Sequence, residues 1–242
     1  MINFEGMMKK LKWSIVGLMV FLGSCRLPDQ EITVFSISYF FNDSDEGWTG
    51  DFADYPEGDS IAHELFFKHD TLPENLNANA TIKALHISGN NLSNDLFMFI
   101  KKKVSGLRPN TAYEILFNVR VASNAPTDAG VGGAPGESVY LKAGATLIEP
   151  KKELETGIHR MNIDKGNQEE EGADMMNIGH VGVSASTIQY TVIIRNNSSV
   201  NSFVITTDAS GEIWLVVGTD SGFEGTTTLY YTQIDVLFNE VN

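Results

Sequence analysis

Between residues 112 and 122 the chain reads Ala-Tyr-Glu-Ile-Leu-Phe-Asn-Val-Arg-Val-Ala, so Tyr113, Ile115, Phe117, Val119 and Val121 recur at every second position while Glu114, Asn118 and Arg120 fall between them. Successive side chains of a strand point to opposite faces, so this period of two predicts one buried face and one that meets water or a ligand. Similar β-rich runs, separated by turn residues, recur near 33–41, 64–69, 81–87, 96–104, 138–147, 188–195, 203–207, 212–218 and 227–238. Almost no stretch keeps a helical apolar period. Ten strands with no Pro/Gly/Ser linker long enough to divide them predict an all-β fold: a single two-sheet β-sandwich of jelly-roll type over residues 32–242.

The first 31 residues read differently. Lys9, Lys10 and Lys12 precede an apolar segment from Trp13 to Leu22, and the run Leu22-Gly23-Ser24-Cys25 ends on the only cysteine of the chain. The apolar segment is too short to cross a bilayer of about 30 Å as a helix. This layout resembles a bacterial lipoprotein signal peptide. The resemblance implies that residues 1–24 are removed and that Cys25 becomes a lipid-bearing (diacyl, palmitate-type) first residue. Residues 25–31, with Pro28 and two acids, would then tether the domain to a membrane of the cell envelope, the outer membrane in a Gram-negative cell. The competing reading is an N-terminal core helix with a buried cysteine; the flanking lysines favour the signal.

Without residues 1–24 the chain has 14 basic and 30 acidic residues, a formal charge of −16. Such a field makes nucleic acid and anionic lipid surfaces poor partners. With Cys25 committed to lipid no disulfide can form within the chain, so stability must come from a packed core.

The segment Leu107-Arg108-Pro109-Asn110-Thr111-Ala112-Tyr113 has the Leu-x-Pro-x-Thr-x-Tyr pattern that leads into a strand in fibronectin type III and jelly-roll carbohydrate-binding domains. Proline sets the turn, and the tyrosine hydroxyl can bond back across the corner. Together with Glu46-Gly47-Trp48 and the closing strand around Thr227 to Val236, the chain resembles lipid-anchored, galactose-binding-like domains of bacterial envelopes over most of 33–240. In related modules an acid usually follows the aromatic of the closing strand; here that place is Thr232. The departure weakens any transfer of the calcium site such modules often carry.

Extending the alternation places Tyr140, Trp214, Tyr231, Asn118, Arg120, Gln189, Arg195, Gln233 and Asp235 outward, with Ile188, Tyr190, Val192 and Ile194 inward. Flat rings among amides and charged groups suit an oligosaccharide, whose C–H faces stack on aromatics and whose hydroxyls take bidentate hydrogen bonds. Three loops, 47–55 with Trp48, 88–95 with Asn90, and 218–225, form a second candidate rim. Their acids, above all Asp51, Asp54 and Asp220, could supply oxygen ligands to a structural Ca²⁺. The five histidines show no transition-metal spacing, and neither Gly-x-Ser-x-Gly nor a later Asp-x-x-His follows Gly58-Asp59-Ser60. The sequence therefore reads as a lipid-anchored envelope protein that binds glycan without catalysis. A protein-docking scaffold and a glycan hydrolase with two loop carboxylates are the alternatives.

Overall fold

The structure, a computed structural model, describes residues 34–78, 81–93, 95–127, 134–184, 189–198 and 203–241; Cys25 and its tether lie outside them. Fifteen strands appear in chain order: β1 (Val34–Phe40), β2 (Thr49–Ala53), β3 (Tyr55–Pro56), β4 (Phe66–Thr71), β5 (Lys83–Asn91), β6 (Leu96–Val104), β7 (Ala112–Ser123), β8 (Val139–Thr146), β9 (Lys152–Glu155), β10 (Ile158–Met161), β11 (Met175–His180), β12 (Thr191–Asn196), β13 (Phe203–Thr206), β14 (Ile213–Ser221) and β15 (Gly225–Glu240). Among the described residues the only helical element is a 3₁₀ turn, Glu74–Leu76.

Two antiparallel sheets face each other. One runs β12-β7-β15-β5-β4, with β13 also on β7 and β1 also on β15; the other runs β11-β8-β14-β6-β2. From β5 to β8 each connection carries the chain from one sheet to the other, and β14 and β15 repeat the crossing, as in a jelly-roll sandwich. The core between them holds Tyr113, Ile115, Phe117, Val119 and Val121 of β7 against Leu141, Leu215, Val217 and Ile100 of the opposite sheet. The strand that fixed the period of two therefore buries the face its alternation predicts. At its entry the Arg108 backbone N–H donates to the Tyr113 hydroxyl at 3.1 Å, closing the corner expected from the Leu-x-Pro-x-Thr-x-Tyr run.

Each of the ten expected strands is present, and β2, β3, β9, β10 and β11 are added. The added strands are short or carry polar and glycine residues, so they have little apolar alternation to read. Three of them, β3, β10 and β9, form a separate small sheet. With the strap 162–174 that leads into β11, this sheet covers the outer face of the five-stranded sheet: Ile163 and Met161 pack on Phe97, Phe99, Met175 and Val216. Gly144 of β8 allows the strap to come this close, because a Cβ there would meet the Asp174 carbonyl oxygen at 1.9 Å.

Candidate functional site

The seven-stranded sheet leaves its outer face open around Ser38, Asp235, Asn118 and Asn196, whereas farther along the strands Leu72, Leu76 and Tyr190 pack on the outward Ala84, Ala122 and Tyr230. Antiparallel registers line up Ser38, Asp235, Asn118 and Asn196 across β1, β15, β7 and β12, and in the next row Phe40, Gln233, Arg120 and Ile194. Residues directly opposite on an antiparallel ladder share a face, so four polar residues expected to point outward, Asn118, Arg120, Gln233 and Asp235, come together. A groove of about 320 Å³ runs beside them, lined by Ser36, Ser38, Leu116, Asn196 and Leu237 among others. The Asp235 carboxylate anchors the patch. It accepts from Asn118 Nδ2 at 3.1 Å and Gln233 Nε2 at 2.7 Å. Partial burial raises the Asp235 pKa, but hydrogen bonds from Ser38, Gln233 and Asn118 and the charge of Arg120 outweigh it, leaving the pKa below the usual carboxylate value. Its acceptors hold both amides in fixed orientations, and the Arg120 Nε is buried without a hydrogen-bond partner among the described residues.

The tyrosine of the pair that reaches this face is Tyr230, not Tyr231. Tyr231 pairs with Val121, but Gln233 already pairs with Arg120, so Thr232 is an extra residue in β15. This bulge reverses the parity upstream of it: Tyr231 turns inward at 0% exposure, and Tyr230 lies outward, stacked on His86 at 4.3 Å with Tyr190 edge-on at 5.3 Å. Tyr190 accordingly packs outside the sheet instead of in the core. Asn90 is on the same face farther along β5, opposite Thr226.

The other expected ligand residues go elsewhere. Trp48 is core, edge-on to Tyr39 at 5.4 Å and to Phe41 at 6.3 Å. On β12, Ile193 packs inward while Val192 and Ile194 are exposed, the reverse of the expected parity, because an edge strand of four consecutive apolar or β-branched residues carries no strong alternation. Arg195 therefore leaves the open face and donates from Nε to the His180 carbonyl at 2.8 Å. Gln189 is exposed ahead of β12, and Ile188 lies outside the described residues. Tyr140 and Trp214 do share an outward face on the five-stranded sheet, as their parity predicts. Six residues of strand, about 20 Å, separate the Tyr140–Asp220 pair from the Thr146–Trp214 pair, and the strap covers Lys142 and Val216 between them. The three rings named from the sequence thus form no common platform.

The acid-bearing segments converge at one end of this covered face, with Asp220 in β14 and not in the loop expected over 218–225, because β14 continues to Ser221. Asp54, Asp95 and Asp220 each place a carboxylate oxygen within 4.8 Å of the others, whereas Asp51 pairs with Lys152 at 2.8 Å and stays apart. Cations fill the cluster: Lys165 Nζ lies 2.7 Å from Asp220 and 3.0 Å from Asp54, and Arg160 bridges Asp54 and Asp95 at 3.1 and 3.0 Å. Lys142, at 0% exposure, donates to the Lys165 and Glu170 carbonyls at 2.7 Å each and pins the strap to the sheet. Burial pushes the Lys142 pKa down. The Lys165 pKa is lowered by burial but raised more by Asp220 and Asp54, and ends above the usual lysine value. A pocket of about 420 Å³ opens beside Asp95, Arg160 and Lys165. With an ammonium between Asp54 and Asp220, these residues as placed do not fit a calcium ion. Asp95 lies in a loop that the sequence singles out, but neither Arg160 nor Lys165 has a local signal, since both act through contacts far along the chain.

No family model matches the chain, and no curated protein matches it. Among solved structures it is similar to the enzymatically active domain of bacteriophage CBA120 tailspike protein 4, with 8% identity, a TM-score of 0.35 and coverage of 81% of this chain. This chain spans only 19% of that one. It is also similar to a structure described as a putative sugar binding protein from Bacteroides thetaiotaomicron, with 8% identity, a TM-score of 0.39 and coverage of 79% of this chain and 88% of the other. A third likeness is to the carbohydrate-binding module TmCBM27, described for specific mannan recognition, with 10% identity, a TM-score of 0.36 and coverage of 85% and 98%. The sandwich assignment rests on the strand registers themselves.

Proposed function

We propose that this chain is a glycan-binding protein of the bacterial cell envelope, held to the membrane by lipid on Cys25, and that it binds without catalysis on the outer face of the seven-stranded sheet. The observation that carries the reading is the row of Ser38, Asp235, Asn118 and Asn196 beside Gln233 and Arg120, with Tyr230 at one end. Amides fixed by a carboxylate present donors and acceptors at set spacing to sugar hydroxyls, and a groove beside them excludes water from part of the ligand. The likeness to sugar-binding structures agrees with this reading without carrying it.

A second reading has its own support. Phe40 at 52%, Ile194 at 49% and Val204 at 51% exposure put apolar side chains on the same sheet face, as a surface for another envelope protein would. A glycan array with the purified full chain separates the two. Binding should appear, weaken at least tenfold in Asp235→Ala and Tyr230→Ala, and be unaffected by Trp214→Ala. Silence across neutral and charged glycans refutes the glycan reading. Loss with Trp214→Ala alone moves the site to the other sheet. The anchor is tested by Cys25→Ser, which should take up no lipid label.

A further inference from the structure

The cluster under the strap is built like a cation site, with carboxylates from three separate segments of the chain, Asp220 from β14 and Asp54 and Asp95 from beside β2 and β6. Asp220 is fully buried, and its Oδ1 has no hydrogen-bond partner among the described residues; Asp95 Oδ1 is in the same state. Asp220 Oδ2 is crowded, with Lys165 Nζ at 2.7 Å, the Gln168 backbone N–H at 2.9 Å and Lys142 Nζ at 3.5 Å. Lys165 Nζ also reaches Asp54 Oδ2 at 3.0 Å and donates to the Gly166 carbonyl at 3.3 Å, with the Phe97 ring centroid 5.0 Å away. Carboxylates, a carbonyl and a central cation are the elements of a calcium shell. Here the ligand distances are those of charge-assisted hydrogen bonds to an ammonium.

Charge decides whether an ion could join. Among the groups in direct contact, Asp54, Asp95 and Asp220 contribute three negative charges, and Lys165, Arg160 and Lys142 contribute three positive ones; Asp164 at the pocket rim is exposed to solvent and accepts from the Gly166 and Ala173 backbone N–H groups. The cluster is neutral without a guest, so a divalent ion would add uncompensated charge where desolvation is expensive. If the Lys165 ammonium is removed, the balance becomes negative, and the idle oxygens of Asp220 and Asp95 supply ligands for a replacement.

We propose that Lys165 is the resident cation of this three-carboxylate site, doing within the chain what a bound calcium ion would do, and that calcium enters only when the ammonium is taken away. The strap then depends on its own lysine and not on calcium supply. The ion cluster ties 165–170 to β14, β8 and the 54 and 95 segments at once, so it holds the strap closed.

Thermal melting of the purified full chain in millimolar calcium chloride and in chelator tests this. Wild-type curves should superimpose. Lys165→Met takes the nearest cation from the buried carboxylates of Asp54 and Asp220, leaving them one more distant or more exposed cation each, and should melt lower by on the order of 10 °C; calcium should then raise its midpoint with increasing dose, and adding Asp220→Asn should abolish that response. Should Lys165→Met fail to fold in chelator, folding restored by calcium supports the proposal, and failure to recover in calcium overturns it. Lys165→Arg, which keeps a cation, should fold and ignore calcium. Calcium stabilisation of the wild type that Asp54→Asn removes, or a Lys165→Met variant that melts like wild type, overturns it as well.

Discussion

Two buried tyrosines offer a matched pair of deletions whose effects should have opposite signs. Tyr113 and Tyr231 are both core residues, at 2% and 0% exposure. The Tyr113 hydroxyl accepts the Arg108 N–H at 3.1 Å, whereas the Tyr231 hydroxyl has no hydrogen-bond partner among the described residues. Burial pushes the Tyr231 phenol pKa well above its ordinary value, which marks the ionised form as strongly disfavoured there. Replacing Tyr113 by Phe leaves the Arg108 N–H without its acceptor and should cost about 1–2 kcal/mol. Replacing Tyr231 by Phe removes a polar group whose unpaired burial costs about 1–3 kcal/mol. Lost van der Waals contacts of one oxygen offset part of this, leaving a net gain of about 1 kcal/mol. In a domain of this size each kcal/mol moves the melting midpoint by about 2–4 °C. Urea titrations of both variants at equal slope measure the two signs directly. If Tyr231→Phe is less stable than wild type by as much as Tyr113→Phe, the Tyr231 hydroxyl has a hydrogen-bond partner in the core and the opposite signs are refuted. If Tyr231→Phe weakens glycan binding while stability holds, the inward parity set by the Thr232 bulge is wrong.

Gly144→Ala should destabilise the chain by about 1–3 kcal/mol, because its Cβ would lie 1.9 Å from the Asp174 carbonyl oxygen and the clash is with backbone that cannot rotate away; a midpoint unchanged in urea would show that the strap is not pressed onto β8. The Asp95 pKa is raised, first by burial and then by the charge of Asp54, with Lys165 and Arg160 only partly compensating. A folded-state value above the unfolded one means that the folded carboxylate is penalised at neutral pH and relieved as pH falls through its folded pKa towards about 4. Asp95→Asn should therefore exceed wild type in stability at pH 7, with the difference shrinking on acidification; a difference that grows at low pH contradicts the sign.

What could be read from the sequence depended on how many faces of a strand have a fixed fate. In β7 one face is core and the other open, and the parity of Tyr113 to Val121 came through unchanged. The same logic placed Ile213, Leu215 and Val217 inward and Trp214 outward. It failed in β15, where a single extra residue at Thr232 exchanges Tyr230 for Tyr231, because a bulge leaves no mark in an apolar pattern that continues with Ile234, Val236 and Phe238 on the far side. It failed again in β12, an edge strand where Val192 and Ile194 meet solvent at little cost. The loops were partly legible: Asp54 and Asp220 were drawn from separate segments and do meet. Their partner Lys165 was not legible, since an isolated lysine between a glycine and an aspartate reads as surface.

The two sheets show why alternation alone cannot locate a binding face. Tyr140 and Trp214 obey the same parity rule as Asn118 and Asp235, yet the strap roofs the sheet between the first pair while a groove lies open beside the second. The roof can lie on this sheet because β8 carries Gly144 beneath the Asp174 carbonyl, and because Lys142 supplies donors for a strap that would otherwise bury unpaired carbonyls. Lys142 in turn depends on Asp220, and Asp220 on Lys165. On the seven-stranded sheet the cover is smaller and apolar, Leu72, Leu76 and Tyr190 over Ala84 and Ala122, and it stops short of Asp235, which holds Asn118 and Gln233 beside the open groove.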